Sequence, residues 1–315
     1  MQQDNTNVGK GACIFIGIQL IVTVLAMLFH PLVDLDATYV LDGQRWFFEH
    51  IWDIAIFFQL VFVLWHSILL KGAPRAIAAA GITIFIAWYA EWLGVNYGGV
   101  FGWYNYSHQL EPQLWGVPLI ICMAWEPILY SSYLVVDWLL PSDLSRMKGL
   151  SKKIIPILFM AVCGTVVCTV WDLMADPVSV TRGWWNWHDG GPYMSDIQGG
   201  VPISNYLGWM KVAFVCHIIY RLILETSPIT RRSIYLNVYG PVLQYINLYF
   251  IFAFAALVML KRLDVLLIGG LAMGGLILLA VSKLYLARFS AAKESWERTE
   301  AVEVSVAAQM EEKKN

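Results

Sequence analysis

Eight stretches of mostly apolar residues, at about 11–29, 51–70, 76–93, 117–138, 154–175, 205–224, 238–260 and 263–287, constrain this chain more than anything else in it. A run of roughly 20 such residues crosses a bilayer as a helix, because hydrocarbon holds no water and backbone N–H and C=O groups must pair within the segment. The expected fold class is therefore all-α: a polytopic integral membrane protein with about eight transmembrane helices. The third run is the shortest, and only Lys261, Arg262 and their neighbours part the seventh from the eighth. Charged residues make up only 14% of the chain, where a soluble domain carries about a quarter. A net charge of −2 leaves no basic footprint, so no nucleic-acid partner is expected.

Lys and Arg set the orientation, since cytoplasmic loops carry the excess. With the N-terminus inside, sixteen of them fall on the inner segments, among them Lys71, Arg75, Arg146, Lys148, Arg221, Arg231 and the six from Lys283 onward. The outer loops hold four: Arg45, Arg182, Lys261 and Arg262. Both termini are expected in the cytoplasm, with residues 1–10 an N-terminal tail, 11–288 a transmembrane catalytic domain and 289–315 a charged C-terminal tail. The first span ends at His30-Pro31 with no small-x-small cleavage site and is read as uncleaved. The expected location is the cell (plasma) membrane, multi-pass, with membrane lipid as surroundings. Gly269, Gly270, Gly274 and Gly275 in the eighth run predict close helix packing.

Two stretches of the chain repeat each other. Glu91 aligns with Asp172 at an offset of 81, and at the same offset Gly102-Trp103-Tyr104-Asn105-Tyr106 aligns with Gly183-Trp184-Trp185-Asn186-Trp187. After a three-residue insertion, Gly116-Val117-Pro118 aligns with Gly200-Val201-Pro202 and Trp125 with Trp209. Both copies leave the membrane on one side, so spans 3–4 and 5–6 form a parallel internal repeat, and sites tend to form between such repeats. The pair predicts one outward-facing pocket, floored by Glu91 and Asp172 and walled by the loops 94–116 and 176–204. Loops that long are commonly functional.

Acids inside a membrane are costly and mark function. Asp172 and Asp176 share a helix face at i, i+4. Two carboxylates that close cannot both ionise cheaply, so one can keep a proton and act as an acid. The alternative is that both lie in the wet interface and merely end the helix before Pro177. Glu91, read alone, is a solvated helix end; its alignment with Asp172 makes it a catalytic candidate. Glu126 lies roughly 13 Å along the fourth span, where Pro127 should kink the helix. It either bonds backbone groups freed there or serves as a second proton donor or water-positioning group. Lys211 either snorkels to the interface or pairs with Asp172 or Asp176. Asn205 suits an N-cap of the sixth helix. His66 and His217 are packing histidines or proton relays. The six histidines include no pair at i, i+3 or i, i+4, which excludes an iron-dependent membrane hydroxylase. The five cysteines, all in apolar runs, read as core residues.

These motifs, Glu91-Trp-Leu-Gly, Gly-Trp-Tyr-Asn-Tyr, Gly-Val-Pro-Leu, then Trp171-Asp172-Leu-Met-Ala-Asp176-Pro177, Gly-Trp-Trp-Asn-Trp and Gly-Val-Pro-Ile-Ser-Asn205, resemble those of the membrane carotenoid hydratases. The resemblance covers about residues 80–225 and implies water addition across the terminal C1=C2 bond of an acyclic C40 or C50 carotenoid, giving a tertiary alcohol. It implies contact with other carotenoid-biosynthesis enzymes as well. The chemistry suits the residues independently. A carboxylic acid protonates C2, aromatic faces stabilise the cation at C1 by ~2 kcal/mol or more each in favourable cases, and water captures it. No metal or other cofactor is expected. Asp172 is the expected proton donor, with Asp176 or Glu91 tuning it or orienting the water. Trp103, Tyr104, Tyr106, Trp184, Trp185, Trp187, Asn205, Trp209 and Lys211 are the expected substrate contacts.

Three rivals stand beside this reading. An intramembrane prenyltransferase would use Asp172-x-x-x-Asp176 as half of a diphosphate–Mg²⁺ site, but the chain has no second Asp-rich cluster. A carotenoid end-cyclase shares the proton-initiated cation. A non-enzymatic carotenoid or lipid transporter also fits parallel repeats.

Overall fold

A computed structural model describes residues 2–29, 50–140, 147–188, 191–192, 200–225 and 235–287. Within them lie eight helices long and apolar enough to cross a membrane: α1 (Gln2–Phe29), α2 (Ile51–Lys71), α3 (Ala73–Tyr97), α4 (Leu119–Leu139), α5 (Leu150–Thr181), α6 (Ile203–Leu224), α7 (Tyr235–Met259) and α8 (Leu263–Ala287). The polytopic all-α fold expected from the hydropathy is what the chain adopts. Arg45, Arg146, Arg231, Arg232 and the tail from residue 289 lie outside the described residues.

The helices run past the apolar stretches where burial continues. The third span, short by hydropathy, is a 25-residue helix that begins with Pro74 in its first turn and closes on left-handed Gly98. Glu91 is therefore not at a helix end: six more helical residues follow it. Likewise α5 does not stop at Asp176-Pro177 but continues to Thr181. Asp176, Pro177, Val178 and Ser179 are all buried, so this last turn is core although its hydropathy has ended. Asn205 is not the cap of α6. That place belongs to Pro202, and Asn205 lies one turn inside.

Residues in equivalent places of the two repeated stretches meet. Strands β1 (Tyr104–Tyr106) and β4 (Trp185–Trp187) pair antiparallel, with Asn105 opposite Asn186, Tyr104 opposite Trp187 and Tyr106 opposite Trp185. Trp125 stacks on Trp209 at 3.8 Å with the rings 19° apart. Both are the contacts a two-fold axis through the ribbon would generate. Between the strands, β2 (Gln113–Leu114) folds back on β3 (Val117–Pro118) ahead of α4. Gly116 and Gly200, at φ 83° and 77°, take the same left-handed turn before α4 and α6.

Helix α4 is the most buried span and packs on α2, α3, α5 and α7. Of the four glycines in α8, Gly269 makes the tight approach. A Cβ there would fall 2.7 Å from the backbone of Leu173 and Met174, next to Asp172. Gly269→Leu is thus expected to push α8 off α5 and lower the melting temperature in detergent by several degrees. An unchanged melting curve would show that this contact does not seat α8.

Candidate active site

At the end of the bundle that carries the aromatic ribbon, a cleft of about 900 Å³, its open mouth included, reaches between the helices. Glu91 from α3 and Asp172 and Asp176 from α5 all line it. All three are at most 5% exposed. Each is held by donors from an element that the repeat supplies.

Glu91 accepts three hydrogen bonds. Trp125 Nε1 donates to Oε1 at 2.9 Å, and Tyr106 (2.8 Å) and Tyr104 both donate to Oε2. Burial and the neighbouring carboxylate hold both phenols well above the usual tyrosine range, so they act as donors. Tyr104 reaches Glu91 only because residue 94 is glycine, where a Cβ would fall 2.6 Å from the tyrosine ring. With three N–H or O–H donors converging, Glu91 has the surroundings of a carboxylate.

The aspartates are joined instead. Asn205 Nδ2 donates one hydrogen to Asp172 Oδ2 at 2.8 Å and the other to Asp176 Oδ2. One amide nitrogen thus brackets both carboxylates, and Trp185 Nε1 donates to Asp176 Oδ1 at 2.7 Å. Among the described residues no Lys or Arg forms an ion pair with any of the three acids. The i, i+4 spacing foretold the shared face. The use of Asn205 as the bracket lay hidden, because a cap was the simpler role for it.

The walls are aromatic. Tyr104, Tyr106, Trp184, Trp185, Trp187 and Trp209 line the cleft as expected from the loops. Trp52, Trp171 and Phe252 add faces from α2, α5 and α7, with Trp52 edge-on to Trp184 at 5.1 Å. Trp125, Trp52, Phe252 and Gln59 were missed as site residues. Trp125 had a signal in its alignment with Trp209, and Gln59 had one as a lone amide in an apolar run. Trp52 and Phe252 lie outside the repeat and had none.

Three expected site residues lie elsewhere. Trp103 is 49% exposed, with its ring beside Gly98. Lys211 sits on the exposed face of α6 and not among the cleft residues. Glu126 is buried deeper, where it accepts from Thr83 Oγ1 (2.8 Å) and Tyr220 OH (2.6 Å). Its bonds go to side chains of α3 and α6 rather than to backbone freed by Pro127. His66 and His217 are not among the cleft residues either. His66 Nε2–H donates to the Leu236 carbonyl at 2.6 Å and its Nδ1 lies 3.1 Å from Tyr130 OH, and His217 packs on Tyr220.

The model of a family described as carotenoid biosynthesis proteins matches residues 52–279, a range that contains every cleft residue. The chain belongs to this family. A curated relative, the bisanhydrobacterioruberin hydratase of Haloarcula japonica, is 27% identical over 157 residues, 50% of this chain and 48% of that one. The chain thus spans about half the length of the curated relative it matches. No solved structure matches it. Membership gives the chain a role in carotenoid biosynthesis, and the hydratase relative is consistent with an enzyme.

Proposed function

We propose that this family member is a hydro-lyase, a carotenoid hydratase that adds water across the terminal C1=C2 bond of an acyclic C40 or C50 carotenoid to give a tertiary alcohol. The observation that carries the reading is the set of three buried carboxylates, two bracketed by one asparagine, on the floor of an aromatic-walled cleft. Like charges that close resist joint ionisation, so the Asp172–Asp176 pair keeps one proton. That proton goes to C2, where the alkene π pair forms the new C–H bond and leaves a tertiary cation at C1. The faces of the tryptophans and tyrosines stabilise the cation, and Glu91, held by three donors, lines the same cleft. Water forms the C1–O bond, and the oxonium proton returns to the aspartate pair. Alkene plus water gives alcohol, with no net redox change.

On this reading the protein sits in the plasma membrane with the cleft facing outward. It would meet its polyene from the lipid and sit beside other enzymes of the same biosynthesis. The test is expression in a lycopene-producing bacterium with mass spectrometry of the pigments. A product heavier by one water is expected. An isomer of unchanged mass would mean cyclisation. Unchanged pigment from both lycopene and a C50 precursor would overturn the proposal.

A further inference from the structure

Gln59 is 4% exposed and lines the same cleft, yet its amide makes no hydrogen bond among the described residues. Its oxygen and nitrogen are also absent from the polar atoms sealed away without a partner, a set that includes the amide of Gln244. The Gln59 amide therefore faces the cavity itself. A buried amide needs a partner, and the hydrocarbon end of an acyclic carotenoid offers none. Water is what the cleft can supply, since a site with polar partners and an open mouth holds it readily.

Position adds to this. Trp52 at the head of α2 packs on Trp184 just past the end of α5, so depth in both helices is counted from one level. Gln59 lies eight residues into α2 and Asp172 nine residues back from the end of α5. At 1.5 Å per residue both are roughly 12–14 Å deep. Helices α2 and α5 share no substantial packing seam, and the cleft lies between them. A flat alkene inserted there would present one face toward the aspartates and the other toward the glutamine.

We infer that Gln59 positions the attacking water on the wall across from the acid pair, so that proton and water arrive on opposite faces of the double bond. The inference rests on the hydratase reading above. The Gln59 carbonyl accepts a hydrogen bond from the water and turns a lone pair of the water oxygen toward C1. The C1–O bond forms from that lone pair. The resulting oxonium is a strong acid and passes its extra proton to water in the mouth of the cleft, from which the aspartate pair regains it.

A positioning role for water predicts a split between the two halves of the reaction. Without oriented water the cation still forms but collapses, losing a proton from C2 to return the substrate or from a methyl on C1 to give its exo-methylene isomer. The experiment runs the membrane-embedded enzyme in D₂O and reads two products by mass spectrometry, hydrated carotenoid and recovered substrate carrying deuterium. Gln59→Met, nearly the same length and shape, is expected to lower the kcat of hydration about a hundredfold. It should leave KM for the carotenoid and deuterium entry into recovered substrate near wild-type levels. Gln59→Glu keeps an acceptor at the position and is expected to recover most of the hydration.

If Gln59→Met hydrates at the wild-type rate, the inference is wrong. It is equally wrong if hydration and deuterium entry fall together in a variant of unchanged melting temperature, because Gln59 would then serve binding or protonation. Should Gln59→Met fail to insert, Gln59→Glu decides, since hydration falling together with deuterium entry there would overturn the assignment. A wild-type enzyme that neither hydrates nor exchanges would instead overturn the hydratase reading, a result separable from any outcome at residue 59.

Discussion

Asp172→Asn is expected to abolish hydration while leaving membrane insertion and the melting curve intact. Asparagine has the size of aspartate and still offers an oxygen to Asn205, so the bracket over residues 172 and 176 survives. What disappears is the acidic proton. Removing a positioned general acid costs about 10²–10⁴-fold in rate, which in a pigment assay reads as no product. Deuterium entry into recovered substrate should vanish as well, because the cation no longer forms. Asp176→Asn should behave in the same direction, since Asp172 then loses the nearest like-charged neighbour that keeps its proton in place. Full activity of Asp172→Asn would move the donor role to Asp176 or Glu91.

The contrast between acids and aromatics shows what the sequence exposes. Glu91 and Asp172 were legible because a charged residue in an apolar run stands out and because each begins the same pattern of glycines, aromatics and Gly-Val-Pro. The ribbon that covers them was legible as a repeat, and its meeting across Asn105 and Asn186 follows once the two copies face each other. Helix ends were less legible. Hydropathy fades near residue 175, but α5 continues to Thr181 because its last turn is buried under the ribbon, where protein rather than lipid is the solvent. Roles within the site were hidden for a different reason. Trp125 reads as a repeat position and Trp185 as an aromatic substrate contact, and only the fold shows that their indole N–H groups serve Glu91 and Asp176. Lys211 and Glu126 carry the same chemical signal as the site acids but lie on the exposed face of α6 and in a deeper cluster. Charge in a span marks a costly residue, and the packing around it decides which cost is functional.

Arg221→Met is expected to be the most destabilising single change in the bundle, and it acts far from the cleft. Arg221 lies near the opposite end of α6 with its side chain fully buried. It pairs with Asp137 of α4 and with Glu225 just beyond α6. It also donates to the Tyr133 carbonyl at 3.3 Å and lies 4.3 Å over the Tyr133 ring. Lys71 at the end of α2 is buried beside the same acids. Removing one partner from such a network strands charges that have lost their solvent, at a cost of about 3–5 kcal/mol. The readout is thermal unfolding in detergent, where the variant should melt well below the wild type. A double variant with Glu225→Gln added should recover much of the loss, because Asp137 then keeps Lys71 as its counter-charge and no charge is left unpaired. Melting of Arg221→Met at the wild-type temperature would mean that water reaches this cluster and screens it. Hydration per folded molecule should be unchanged, which separates the helix-joining network at this end from the acids of the cleft.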